Sequence, residues 1–225
     1  MFEEKRFYSK NRPGAFLPYL YHSNSTDSCP RKLPLLFYIH GAGGRGEDLS
    51  VLRDMVFVKE IESGRREDCV ALLPQCRCDT WFELFDVLLE FIDAMRHLPE
   101  VDMDRVYITG ASMGGYTLWQ IAMSRPSWFA AAVPICGGGM YWNGARLKNL
   151  PIWAFHGALD TTVLPEETLH MVKSVNQAGG SAKLTIFPNA AHDAWTPAFT
   201  DDRLWKWMFS QTRQKTRFQL EQSQK

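Results

Sequence analysis

Arg105-Val106-Tyr107-Ile108-Thr109-Gly110-Ala111-Ser112-Met113-Gly114-Gly115 is the stretch that decides the fold. Its first half, Arg105 to Thr109, is β-branched and aromatic, the composition of a buried strand. From Gly115 to about Ser124 the chain carries Leu118, Ile121 and Ala122 at helical spacing. Between the two stands Gly110-Ala111-Ser112-Met113-Gly114, a G-x-S-x-G pattern. A serine on a sharp strand-to-helix turn protrudes at the end of the sheet, where its hydroxyl is open to a substrate. The flanking glycines let the turn close and let the helix pass near other backbone. The pattern alone recurs by chance; its place between strand and helix gives it mechanical meaning.

Outward from this turn, the chain alternates strand and helix. Leu35-Leu36-Phe37-Tyr38-Ile39 is a continuous apolar run, the mark of a strand buried on both faces, and it leads into His40-Gly41-Ala42-Gly43-Gly44. A second buried strand is predicted over Cys69 to Leu73, stopped by Pro74. Thr80-Trp81-Phe82-Glu83 matches a capping box, with Thr80 as cap and Glu83 reaching back. The helix behind it puts Leu84, Val87, Leu88, Phe91, Ile92 and Met95 on one face. Further strands are expected at 105–109, 130–135, 152–156 and 182–187, with helices at 113–124, 166–178 and 201–209. Such alternation implies one α/β domain over 1–225, with a mostly parallel central sheet flanked by helices on both faces. Ligands of such sheets bind at the carboxyl ends of the strands. Residues 5–23 suggest edge strands joined by a turn at Pro13-Gly14, and Asn24 to Lys32 a loop. Gln211 to Lys225 is polar and expected to fray.

A chain of 225 residues, 45% hydrophobic and 22% charged, suffices for a single large core. Formal net charge is zero and the basic residues are scattered, so there is no electrostatic case for nucleic acid or an anionic membrane surface. Met1-Phe2-Glu3-Glu4-Lys5-Arg6 carries acids with no apolar run behind it, unlike a signal peptide, and no stretch approaches a membrane span. The five cysteines are odd in number, and Cys76-Arg77-Cys78 lacks the second ligand pair a zinc site needs. Reduced thiols in a cytoplasmic protein are expected, with a bridge from Cys76 or Cys78 to Cys136 left open. No metal or other cofactor is implied, and a homodimer is left open.

A serine hydroxyl becomes a nucleophile only when a base takes its proton and an acid orients that base. Six histidines are available. His22 falls in a loop, and His97 and His170 on helices, all three as surface or packing residues. His40 and His156 each end a strand before a glycine and are expected to shape turns. His192, in Phe187-Pro188-Asn189-Ala190-Ala191-His192-Asp193-Ala194-Trp195, follows the last strand and opens the loop before the final helix. That is where the general base of this layout belongs. Asp160, closing Phe155-His156-Gly157-Ala158-Leu159-Asp160, completes the order Ser112, Asp160, His192. Asp193 and Asp201 are rivals by position, and a turn-forming role for Asp160 is the bland alternative. The oxyanion of a tetrahedral intermediate needs N–H donors. One is expected from Met113, at a helix N-terminus, and the second from Ala42 or Gly43. A phosphate loop is excluded, because the glycines lack the Lys-Ser/Thr ending.

Together these residues resemble the α/β-hydrolase superfamily, and within it the small serine esterases of the phospholipase/carboxylesterase, dienelactone-hydrolase-like and predicted-peptidase group. The likeness runs from Leu33 to about Phe209. It rests on the His40-Gly41-Ala42-Gly43 loop, Leu73-Pro74-Gln75-Cys76, Asp104-Arg105-Val106-Tyr107 and Gly110 to Tyr116. Pro134-Ile135-Cys136-Gly137-Gly138, Phe155-His156-Gly157 with Asp160, and His192-Asp193-Ala194-Trp195 complete it. The resemblance implies an α/β-hydrolase fold and hydrolysis of a small-molecule ester through an acyl-enzyme. Ser112 would be nucleophile, His192 base and Asp160 orienter. Gly44 stands where many relatives have Glu, a departure expected to alter the site's mouth. Ser112 replaces the Cys of true dienelactone hydrolases, which argues against that substrate. Cys136 to Leu150 is too short for the lid of larger relatives, so an open site without a cap domain, suited to short acyl esters, is expected. Met140, Tyr141 and Trp142 at its rim, and Trp81 and Trp195, either wall the pocket or pack. A peptidase or amidase, a thioesterase or lysophospholipase with the same triad, and a non-catalytic binding protein are the competing readings.

Overall fold

The computed structural model describes residues 1–24 and 32–213. Eight strands are present among them: β1 (Glu3–Tyr8), β2 (Phe16–Ser23), β3 (Leu33–Ile39), β4 (Val70–Pro74), β5 (Val101–Ala111), β6 (Ala131–Ile135), β7 (Trp153–Gly157) and β8 (Lys183–Phe187). They form one sheet in the order β1-β2-β4-β3-β5-β6-β7-β8. From β4 to β8 every pairing is parallel, while β1 and β2 add an antiparallel edge. The N-terminal hairpin turns where the sequence expects it, with Gly14 at φ +81° beside Pro13.

Among the described residues seven α-helices accompany the sheet: α1 (Ser50–Arg53), α2 (Val56–Glu62), α3 (Phe85–Arg96), α4 (Met113–Ser124), α5 (Pro165–Gln177), α6 (Trp195–Phe199) and α7 (Asp202–Phe209). Strand side chains alternate faces, and the core divides accordingly. Leu35, Phe37 and Ile39 of β3 join Phe91 of α3, Leu118 of α4 and Met171 of α5 on one side. Leu36 and Tyr38 join Phe57 of α2 and Phe199, Leu204 and Trp205 of the C-terminal helices on the other. With both faces covered, β3 is buried along its entire length, which is why it reads as an unbroken apolar run. This is the α/β-hydrolase arrangement.

The structure departs from the sequence-based expectations at several points. His22 does not lie in a loop: β2 continues to Ser23, pairing His22 with Ala71 of β4, and the imidazole is buried. The strand expected at 105–109 runs from Val101, because Val101 pairs with Leu33 across a register shift. His97 falls one residue beyond α3, as its C-cap. The capping box is present, Glu83 Oε1 accepting from the Thr80 N–H at 2.8 Å, but a 3-10 turn over Trp81–Leu84 precedes α3. Most of the 24–32 loop and all of the tail beyond 213 lie outside the described residues. Cys69, Cys76, Cys78 and Cys136 are free thiols, so the bridge left open to Cys136 is not made. Among the described residues no helix is long and apolar enough to cross a membrane. In place of a cap, a 3-10 helix over Tyr141–Leu147 lies against α5, where Ser174 Oγ donates to the Tyr141 carbonyl.

Candidate active site

β5 ends at Ala111 and α4 begins at Met113, leaving Ser112 alone to make the turn, at φ 56° and ψ −121°. A non-glycine residue at positive φ costs about 1–3 kcal/mol and needs surroundings that hold it there. Those surroundings are backbone. The Ser112 N–H donates to the Ile135 carbonyl of β6 at 2.9 Å. A Cβ at Gly114 would stand 1.9 Å from the Ile39 carbonyl oxygen, and one at Gly110 would stand 2.5 Å from that of Gly114. Only hydrogen fits at these two positions, so α4 is pressed end-on against β3 and the serine is forced outward.

Ser112 Oγ lies 2.9 Å from His192 Nε2, and His192 Nδ1 lies 2.7 Å from Asp160 Oδ2. His192 sits on the loop between β8 and α6, and Asp160 on the turn after β7, both at the carboxyl edge of the sheet. The rival acids are engaged elsewhere: Asp193 accepts from the Thr196 N–H at 3.0 Å at the start of α6, and Asp201 caps α7 and pairs with Arg203. Burial pushes the Asp160 carboxyl up, but the His192 bond and the Val163 and Thr162 N–H groups outweigh it and hold the carboxyl below its ordinary value. It is therefore an anion at neutral pH, available to balance charge arising on His192.

His156 does more than shape a turn. It is fully buried, its Nε2 lies 3.2 Å from the same Asp160 Oδ2 and 2.9 Å from the Val163 carbonyl, and its Nδ1 lies 2.7 Å from Thr168 Oγ1. Thr168 in turn donates to the Gly137 carbonyl at 2.8 Å. The imidazole thus ties the Asp160 turn to α5 and to the glycine loop after β6. Its i,i+4 spacing to Asp160 was the available signal.

The His40–Gly44 loop passes directly beside the serine: a Cβ on Gly41 would lie 3.2 Å from Ser112 Cβ. His40 holds the loop from beneath. Its Nδ1–H donates to the Gly41 carbonyl at 2.6 Å, and its Nε2 accepts the Cys76 N–H at 2.9 Å. Burial drives its pKa down to about 4, with Arg45 adding to the fall against the Gly41 bond. Arg45 Nε reaches the Ala42 carbonyl at 2.9 Å, and the Gln75 amide the Gly44 carbonyl at 3.0 Å. Ala42 and Gly43 are exposed on this clamped turn, next to Gly41, which adjoins Ser112; the first N–H groups of α4 beyond Ser112 have no intrahelical partner. Gly44 is buried, and a Cβ there would stand 2.6 Å from the His40 ring. The position thus lies under the loop, against the His40 ring and Met55, and not, as expected from sequence, at the site's mouth.

The five candidate pocket residues separate. Trp81 is fully buried, its indole N–H on the His40 carbonyl at 3.0 Å and its ring 5.0 Å from that of His40, so it supports the loop and offers no wall to a substrate. Trp195 stands edge-on to His192, centroids 5.3 Å apart. Tyr141 and Trp142 are exposed and in mutual ring contact, with Tyr141 also against His170. Met140 lines a groove of about 550 Å³ together with Phe82, Phe85, Tyr116, Gln120, Gly139 and Glu167, of which only Met140 was singled out from sequence.

Among the described residues, the one group of His, Cys and carboxylate atoms close enough to hold a metal is Cys136, Asp160 and His192, within 4.8 Å of one another. The Asp160–His192 bond already uses the imidazole Nδ1, and the Cys136 thiol, pushed up to about 12 by burial, donates to the His192 carbonyl at 3.3 Å. These donors serve the hydrogen-bonded chain and do not converge as a metal site.

Comparison with known proteins places the fold and the family. The chain superposes on a thermostable esterase with a TM-score of 0.79 and 32% identity, covering 94% of this chain and 63% of that one. A ferulic acid esterase shares the fold at a TM-score of 0.71 and 15% identity, over 93% of this chain and 98% of that one. Poly(3-hydroxyalkanoate) depolymerase C of Paucimonas lemoignei is 34% identical over 71 residues, which are 28% of this chain and 17% of the depolymerase. The chain therefore spans less than two thirds of the esterase and a small part of the depolymerase. Residues 38–203, from the end of β3 into α7, match one family throughout: the chain belongs to the dienelactone hydrolase family.

Proposed function

We propose that this protein is a serine carboxylesterase that cleaves short-chain esters through an acyl-enzyme, with Ser112, His192 and Asp160 as its triad. The observation that carries the reading is the unbroken chain from Ser112 Oγ to His192 Nε2 at 2.9 Å and from His192 Nδ1 to Asp160 Oδ2 at 2.7 Å. Ser112 Oγ attacks the ester carbonyl as its proton passes to His192 Nε2. Asp160 fixes the imidazole with Nδ1 protonated and stabilises the imidazolium that forms. The carbonyl oxygen becomes an oxyanion, met by the Met113 N–H and by the Ala42 or Gly43 N–H across the cleft. Collapse expels the alcohol, which takes its proton from His192. Water then attacks the acyl-enzyme with His192 again as base, releasing the acid and restoring Ser112.

The short 3-10 helix over Tyr141–Leu147, where a cap would stand, favours compact esters over long lipid chains. The similarity to the thermostable esterase supports ester hydrolysis, and the serine in place of cysteine supports a substrate other than dienelactone. Hydrolysis of p-nitrophenyl esters from acetate to palmitate, by wild type and Ser112→Ala, tests the reading. Activity greatest at short chains and lost in the variant is expected. Activity surviving in Ser112→Ala refutes the triad.

A further inference from the structure

Resting on the esterase reading, we propose that the groove beside Ser112 is a specificity subsite for an aromatic half of the ester bearing a hydrogen-bond donor at its far end, and that Glu167 reads this donor.

The groove begins one helical turn from Ser112, at Tyr116. Tyr116 and Gln120 stand four residues apart on α4 and share one face of that helix, and Tyr116 lies one turn beyond Ser112, its N–H donating to the Ser112 carbonyl at 3.1 Å. With a rise of about 1.5 Å per residue, the Tyr116–Gln120 floor runs from about 6 to about 12 Å beyond the serine. A ring attached to the scissile ester reaches into that span, whereas an acetyl group does not.

Its walls are apolar and flat. Phe82 and Phe85 are stacked with centroids 6.3 Å apart, Met140 lines the groove with them, and Phe82 remains 53% exposed. Aromatic faces and a thioether next to open volume suit another aromatic ring.

The polar element is Glu167. A Cβ at Gly138 would stand 2.4 Å from Glu167 Oε2 and 3.2 Å from Tyr116 Cε1, so the missing side chain lets the carboxylate and the Tyr116 ring lean together over the groove. The Tyr116 phenol is pushed up to about 12 by burial and by the charge and hydrogen bond of Glu167, so it remains a protonated donor to that carboxylate. One phenol satisfies a fraction of what two carboxylate oxygens can accept. Among the described residues no lysine or arginine pairs with Glu167. The Cβ at Gly138 would also stand 2.8 Å from Glu167 Cβ, so the start of α5 itself, tied to the loop by Thr168 on the Gly137 carbonyl, brings the acid to the groove, where its place in the first turn also suits the helix dipole. A hydroxyl or ammonium on the substrate satisfies the remaining capacity, while a carboxylate-bearing ester is repelled.

Matched ester pairs test this. For the alcohol half they are 2-phenylethyl acetate and its 4-hydroxy analogue; for the acyl half, methyl 3-phenylpropanoate and its 4-hydroxy analogue. 4-Aminomethyl analogues separate an ammonium donor from a hydroxyl. Wild type is expected to favour the donor-bearing member of at least one pair by about five- to tenfold in kcat/KM, as one exposed charge-assisted hydrogen bond allows. In Glu167→Leu the ratio falls to near one. Ratios near one for every pair in wild type, or a preference that survives in Glu167→Leu, overturn the proposal while leaving the esterase reading intact. If wild type cleaves no ester, that reading fails, and saturation-transfer NMR with 2-(4-hydroxyphenyl)ethanol decides the groove separately. Binding present in wild type and lost in a folded Glu167→Leu sustains it; equal binding, or none, overturns it.

Discussion

Acidification will destabilise this protein through His40 before most carboxylates titrate. In the folded chain the His40 Nε2 faces the Cys76 N–H at 2.9 Å, a donor that leaves no place for a second proton. Burial holds the folded pKa at about 4, whereas the unfolded chain takes up the proton near the ordinary value of 6.5. Between those two values the unfolded state binds more protons, so stability falls as pH falls; the loss is complete near pH 4. A gap of about 2.5 pH units corresponds to about 3 kcal/mol, or about 1.5 M in urea midpoint for a chain of this size. The comparison variant is His40→Gln, whose amide oxygen reaches the Cys76 N–H but does not titrate. Urea unfolding of both proteins, followed by tryptophan fluorescence at half-unit steps from pH 7.5 to 4, isolates the effect. Carboxylates common to both cancel. The stability advantage of wild type over the variant is expected to shrink by about 3 kcal/mol across the window. An advantage constant across it would refute the assignment of a neutral, tightly held His40.

Three further outcomes follow from the site. Gly114→Ala places a methyl 1.9 Å from the Ile39 carbonyl, so α4 must retreat by more than 1 Å; kcat/KM should fall about 10²-fold and Tm by several degrees, while Gly43→Ala, with nothing within 4 Å of its Cβ, should leave Tm unchanged. Asp160→Asn keeps the shape but removes the anion that fixes the His192 tautomer, and kcat on p-nitrophenyl acetate should drop about 10³–10⁴-fold with little change in KM. His156→Gln retains a donor toward Asp160 whereas His156→Asn retains only the Thr168 side, so Gln should keep about tenfold more kcat; the reverse order would show that the Thr168 link matters more.

The parts of the fold written locally were legible. Leu35 to Ile39, Arg105 to Thr109 and the helix after Ser112 announce themselves by apolar run or helical period, and the structure realises each within a few residues. The order of Ser112, Asp160 and His192 along the chain singled out three side chains that the fold brings within hydrogen-bond distance. What escaped depends on partners distant in sequence. The capping box set where the helix begins at Trp81, but only His40 and its carbonyl, 41 residues away, turn the indole inward. β2 extends through His22 because β4 supplies its partners. α1, α2 and α6 are 4, 7 and 5 residues long, too short for a period to show. The groove escaped because its walls come from the turn at Phe82, from α4, from the glycine loop and from α5, which no single window of sequence displays together.

The absence of side chains at Gly110 and Gly114 bears on how such an enzyme diversifies. Ser112, the proposed nucleophile, is positioned by main chain abutting main chain, a frame whose tolerance for change is nil at those points. The groove is built from the side chains of Phe82, Phe85, Met140 and Glu167, anchored on other segments, and none of them is among the atoms that hem in Gly110 and Gly114. Under the proposed function, chemistry and selectivity are thus encoded in separable sets of positions. A library restricted to the second set can alter which ester is accepted while every member inherits the same reactive serine.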